Sequence, residues 1–164
     1  MPLPIEAPTS PANALTSLVI EVFRLNGGLL LAGDALVRGL GLTSARWQVL
    51  GAIALSPTPL PVAHIARNMG LTRQAVQRVV DDMREDGLVQ LQPNPHHRRA
   101  MLVAMTQYGE AAYGQASRLQ QGWAQDLALG LSADTIEAAS LLLRTLRQRV
   151  EGGPVPVHPS SPQD

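Results

Sequence analysis

Apolar residues recur at Leu15, Leu18, Val22, Leu25, Leu29, Leu36 and Leu40, close to the three-and-four spacing that gathers side chains on one face of a helix. The spacing predicts a long first helix over 15–40. Gly27 and Gly28 fall inside it; each costs a helix about 1 kcal/mol relative to alanine, so they point to a kink, a close packing contact or a locally weakened helix. "GLTSARWQVLGAIALS" follows, with Gly41 as a stop, Thr43 as N-cap, and Trp47, Leu50, Ile53 and Ala54 on one face of a second helix. Three prolines in "SPTPLP" break the chain. A short helix over 62–68 then turns Val62, Ile65, Ala66 and Met69 to one side, and Gly70 suits a left-handed stop. Thr72 caps a further helix to about Asp86, in which Val76, Val79, Val80 and Met83 form a buried stripe; Gly87 ends it.

The period then shortens. In "LVQLQP", Leu88, Val89 and Leu91 partly alternate, and "AMLVAM" is again strand-like, so the pattern predicts a two-stranded hairpin around a loop at 92–99. Pro93 and Pro95 stiffen that loop, and 100–105 carries the chain back. After Thr106 the steps are helical: Ala112, Ala116, Leu119, Trp123 and Leu127. Ser132 caps a last helix with a seam of Ile136, Ala139, Leu143, Leu146 and Val150, too regular to be left to solvent. Residues 1–14 and 151–164, rich in proline, read as a disordered arm and tail. There are no internal repeats.

Composition narrows the chemistry. Only five of 164 residues are aromatic, so the core is aliphatic, and the chain suits one mainly helical domain. Cysteine is absent, which excludes disulfides, thiolate metal sites and thiol-based sensing. The first fourteen residues contain four prolines and no basic residue, unlike a signal peptide, and no stretch reads as a membrane span. The expected location is the cytoplasm. The net charge is zero, but every basic residue is arginine, and six lie between 60 and 100: Arg67, Arg73, Arg78, Arg84, Arg98 and Arg99. Asp81, Asp82, Glu85 and Asp86 share that window, bunched at the end of one helix. Local arrangement therefore matters more than the sum.

Short helix, glycine turn, capped helix, strand, basic loop and strand make a helix-turn-helix followed by a wing. Such a helix enters the major groove N-terminus first, presenting early polar side chains to base edges while cations and backbone N–H groups take phosphates. Thr72, Arg73, Gln74, Gln77 and Arg78 lie opposite or beside the apolar stripe. Arginine can bridge guanine O6 and N7, and glutamine can pair with adenine. Asp81 and Asp82 come where the helix leaves the groove, and one of them could hold a wing arginine. A solvated polar face is the bland alternative for this helix taken alone.

"LTSARWQVLGAI", "IARNMGLTRQAVQRVVDDMREDGLV" and "NPHHRRAMLVAMTQYGEAAY" resemble successive signature regions of the MarR family of winged-helix transcriptional regulators, over about residues 15–150. The resemblance implies a mainly α fold: a winged helix-turn-helix lobe over 42–106 with a two-stranded β wing, and long N- and C-terminal dimerisation helices over 15–40 and 107–150. It implies a homodimer binding palindromic double-stranded DNA, commonly as a repressor released by a small aromatic or anionic effector. It places the recognition helix on 72–86 and the wing arginines on Arg98 and Arg99, and matches Asp81 to an acid that pairs with a wing arginine. Relatives usually carry aspartate just before the arginine pair, where this chain has His97; the exchange makes the wing more positive at low pH and predicts tighter, more pH-dependent minor-groove binding.

The second helix lines the effector pocket in that family, so Trp47, otherwise a core aromatic, joins Arg24, Asn26 and Arg46 as candidate effector contacts. His96 and His97 are adjacent on a loop with no carboxylate or cysteine close in sequence, which argues against a metal site, and His64 reads as a surface or packing residue. Ser44, Ser56 and Ser132 lack histidine and acid partners at suggestive positions, and no phosphate-binding glycine loop occurs, so neither enzyme chemistry nor a cofactor is expected. The competing readings are a winged-helix dimer serving as a protein-interaction scaffold and a metal-responsive regulator.

Overall fold

A computed structural model describes residues 10–95 and 99–153. The chain divides into two compact units, 1–121 and 122–164. The first holds the long helix α1 (Pro11–Val37), a 3-10 turn (Arg38–Leu40), α2 (Ser44–Ala54), β1 (Leu60–Pro61), α3 (Val62–Met69), α4 (Arg73–Glu85), β2 (Val89–Gln92), β3 (Leu102–Met105) and most of α5 (Gln107–Leu127). The second holds the end of α5 and α6 (Ala133–Gly152).

Helix α1 starts four residues earlier than its apolar spacing predicts. Ser10 accepts a hydrogen bond from the Asn13 N–H and Pro11 occupies the first turn, where its missing N–H costs nothing. The helix runs unbroken through Gly27 and Gly28, beside which a Cβ would meet nothing, so neither a kink nor a close contact explains them. The close contact falls instead at Gly33, one and a half turns further on. By length and composition the segment 11–40 could cross a membrane, contrary to the expectation that no stretch reaches that length. Leu29, Leu30 and Leu31 are flanked by uncharged Gly27, Gly28, Ala32 and Gly33, so the apolar character of this segment runs on without a charge from Leu25 to Gly33.

In the first unit the core joins Val37 and Leu42 to Val49, Leu50 and Ile53 of α2, Ile65 and Ala66 of α3, Val76, Val80 and Met83 of α4, and Val89 and Val103 of the sheet. Helix α2 is its centre, packed against α1, α3, α4 and β3. Its burial therefore wraps beyond a single stripe: Val49 is fully buried, Trp47 only half-buried, and Ala54, expected on the apolar face, is exposed.

The sheet has three strands, not two, in the order β1-β3-β2, antiparallel throughout. Leu91 and Leu60 both stand opposite Val103 on the central strand. β1 is only two residues long and contains Pro61, which is tolerated on a sheet edge. Two residues carry no readable period, and "SPTPLP" reads as a break.

Helix α5 buries Gly109, Ala112 and Ala116, while Leu119 and Leu127 of its predicted stripe are exposed. Gly109 is obligatory, because a Cβ there would overlap the Leu88 carbonyl. In the second unit, Ser132 caps α6 by accepting from the Thr135 N–H, and the helix continues two residues past 150. It buries none of its residues; Ile136, Leu143 and Val150 of the predicted seam are exposed.

Candidate nucleic-acid interface

The interface begins with the turn between α3 and α4. Gly70 adopts φ 64°, and its N–H closes onto the carbonyls of Ala66 and Arg67, while the Leu71 N–H reaches the Ala66 carbonyl at 3.0 Å. A left-handed residue is needed there, and glycine provides it without a Cβ penalty. Thr72 then starts α4, its hydroxyl accepting from the Ala75 N–H at 3.2 Å. Val76, Val80 and Met83 anchor the helix by their complete burial. Thr72, Arg73, Gln74 and Arg78 are consequently turned out and exposed. Gln77 is half-buried and donates through Nε2 to Asp81 Oδ1 at 3.1 Å, which fixes the orientation of its amide.

The wing is the β2–β3 hairpin. Gln92 pairs with Leu102, so the loop covers 93–101 rather than 92–99. Arg99 is exposed. His96, His97 and Arg98 lie outside the described residues. A single open groove joins Arg73 and Gln77 of α4 to Arg99 and Asn94 of the wing loop and to His64 of α3. None of its described lining residues is acidic. Sequence reasoning missed His64 and Asn94 here: His64 reaches the groove because β1, unreadable in sequence, lays the start of α3 beside β3. Of the acids of the window, Asp81 stands beside the groove but is engaged by Gln77, and Asp86 is in an ion pair with Arg46 at 2.7 Å.

The candidate effector residues do not share one environment. Arg46 and Trp47 are half-buried neighbours on α2, and Arg46 is held by Asp86. Arg24 and Asn26 lie on the exposed part of α1, where Arg24 pairs with Glu21 at 2.7 Å. Among the described residues no group of three or more histidine or acidic side chains could hold a metal ion.

A family model described as the MarR family matches residues 40–100, the segment that forms this interface. The chain is a member of the MarR family. An uncharacterized protein of Mycobacterium tuberculosis is 40% identical over 98 residues, covering 60% of this chain and 67% of its own. The transcriptional activatory protein BadR of Rhodopseudomonas palustris is 33% identical over 95 residues, 56% of this chain and 54% of its own. Among solved structures, a mutant E. coli MarR complexed with operator DNA superposes with a TM-score of 0.71 at 24% identity, covering 84% of this chain and 99% of that one. MarR-family proteins are DNA-binding transcriptional regulators, not enzymes.

Proposed function

We propose that the protein is a homodimeric, operator-binding regulator that docks α4 in the major groove and the wing in the flanking minor groove. The observation that carries this reading is the acid-free groove that joins Arg73 and Gln77 to Arg99. Arg73, Gln74, Gln77 and Arg78, with Thr72, read bases or nearby phosphates; Arg99, together with Arg98 and His97, follows the backbone into the minor groove. E. coli MarR, which shares this fold, is found in complex with operator DNA, and this supports a DNA-binding role. The exposed apolar residues of α1 and α6, among them Phe23, Leu31 and Leu141, are covered by a second copy, and the two lobes then face a palindromic site in the cytoplasm.

Repression or activation follows from where the operator stands relative to the promoter. A relative is an activatory protein, and repression relieved by an aromatic or anionic effector is the form we propose for this chain. Such an effector would meet Arg46 and Trp47 and would compete with Asp86 for the guanidinium. Arg24 and Asn26, exposed on α1 with Arg24 paired to Glu21, would contribute to effector binding from that separate position.

The test is duplex selection from a random library by the full-length protein, followed by titrations across salt. Arg99→Ala is expected to weaken all duplexes alike and lower the salt slope by about 1, whereas Gln74→Ala relaxes sequence preference. Identical behaviour of the two variants would overturn the docking. Absence of any salt-dependent duplex binding would favour an interaction scaffold.

A further inference from the structure

Among the described residues Ser44 is the one buried polar or charged side chain, and it sits where α1 crosses the start of α2. Its hydroxyl donates to the Leu30 carbonyl at 2.7 Å, and its backbone N–H donates to Asp34 Oδ1 at 2.6 Å. The first N–H groups of a helix have no partner within it, and a carboxylate is favoured at that end by the helix dipole. Thr43 satisfies one such group from within α2, accepting from the Arg46 N–H; Asp34 satisfies another from a different helix. Between Leu30 and Asp34 lies Gly33, where a Cβ would stand 2.5 Å from Ser44 Oγ. One turn further, Val37 is completely buried in the lobe core.

Leu30, Gly33, Asp34 and Val37 lie on one face of α1, so the junction fixes both rotation and sliding of that helix against α2. Two hydrogen bonds, a contact too close for any side chain and a core anchor act on about two turns of helix. From Gly33 back to Pro11 the helix then extends about 33 Å at 1.5 Å per residue. Over that arm a 10° rotation displaces the far end by about 6 Å, nearly two base-pair steps of about 3.4 Å.

We infer that the Gly33–Asp34–Ser44 junction is a positioning device that sets the separation of the two recognition helices, and so the operator spacing the dimer accepts. The inference rests on the dimeric DNA-binding reading above. Its residues touch no base; they act through the angle at which α1 leaves the lobe.

The experiment uses the duplex selected by the wild-type protein and derivatives with the half-sites moved by one or two base pairs in either direction. Gly33→Ala is expected to lower affinity for the parent duplex about tenfold, the size of one lost or displaced buried hydrogen bond, and to flatten or shift the spacing preference. Dimer mass by light scattering should be unchanged. In Gly33→Ala/Ser44→Ala the hydroxyl is gone, and the added Cβ would meet the Ser44 Cβ at 3.6 Å and Trp47 Cζ3 at 3.8 Å, ordinary contacts. That double variant should recover part of the affinity and the spacing preference lost in Gly33→Ala, a rescue that general destabilisation would not produce. Ser44→Ala alone, which removes only an oxygen, supplies the same spacing measurement should Gly33→Ala fold poorly, and it too is expected to broaden the preference. Wild-type spacing profiles in Gly33→Ala or, should that variant fold poorly, in Ser44→Ala would overturn the inference, as would a double variant no better than Gly33→Ala. Selection of no duplex at all would remove the DNA-binding reading itself, and this inference with it.

Discussion

The lobe formed by α2 to β3 and the helix α6 are built from the same aliphatic vocabulary and meet opposite fates. In the lobe, Leu50, Ile65, Val76, Val80 and Met83 are completely buried, because three helices and a sheet close around α2. Helix α6 carries Ile136, Leu141, Leu142, Leu143 and Val150 and leaves all of them exposed. Apolar spacing reports which face of a helix seeks cover, not what covers it. A lobe supplies its own cover within one chain; a single amphipathic helix needs another surface, and in the proposed dimer that surface belongs to a second copy.

This contrast can be broken experimentally. The largest effect is expected from Ile65→Ala, which leaves a cavity in the lobe core and should cost about 2–5 kcal/mol in urea denaturation. A loss under about 1 kcal/mol would show that the lobe is not the self-sufficient part. Next comes Leu143→Glu on α6, expected to remove about 1.5–3 kcal/mol of apolar burial per protomer from the dimer. Sedimentation should show dissociation at concentrations where the wild type stays dimeric, with helical circular dichroism largely kept. A dimer equally tight in this variant would assign the α6 seam no part in association.

Thr106 tests how the lobe is joined to α5. Its hydroxyl donates to the Gly87 carbonyl at 2.6 Å and accepts from the Gly109 N–H at 3.1 Å, tying the end of α4 to the first turn of α5. Thr106→Ala should cost about 1–2 kcal/mol. The smallest effect belongs to Arg46→Ala. The Arg46–Asp86 pair is short, but Asp86 is 55% exposed, so solvent screening limits its contribution to about 0.2–1 kcal/mol, and added salt should shrink that further. An unchanged melting temperature in low salt would leave Arg46 to the effector role alone.

Much of the architecture was legible along the chain because local chemistry dictated it. Thr43, Thr72 and Ser132 cap the helices predicted for them, and Gly41, Gly70 and Gly87 all adopt positive φ at the predicted stops. The stripe of α4 is buried as its spacing requires, with Val79 only half-covered at its margin. The exposed polar side of α4 follows from that stripe by elimination. Less legible was anything depending on pairing at a distance. β1 exists only because β3 lies beside it, and it alone brings His64 toward the wing. Nothing in the local sequence separates Gly33 from the other glycines of α1, yet a Cβ would clash there and would meet nothing at Gly27 or Gly28.

By itself the sequence determined the helices, their caps and stops, the strand-like hairpin and the polar face of the recognition helix, since each depends on interactions within a few residues. Only the tertiary structure decided that Asp86 serves Arg46 and that Asp34 and Ser44 lock α1 to α2. These partners stand 40 and 10 positions apart. A carboxylate at any of those sites reads the same in sequence. Its role is chosen by which donor the folded backbone brings within about 3 Å.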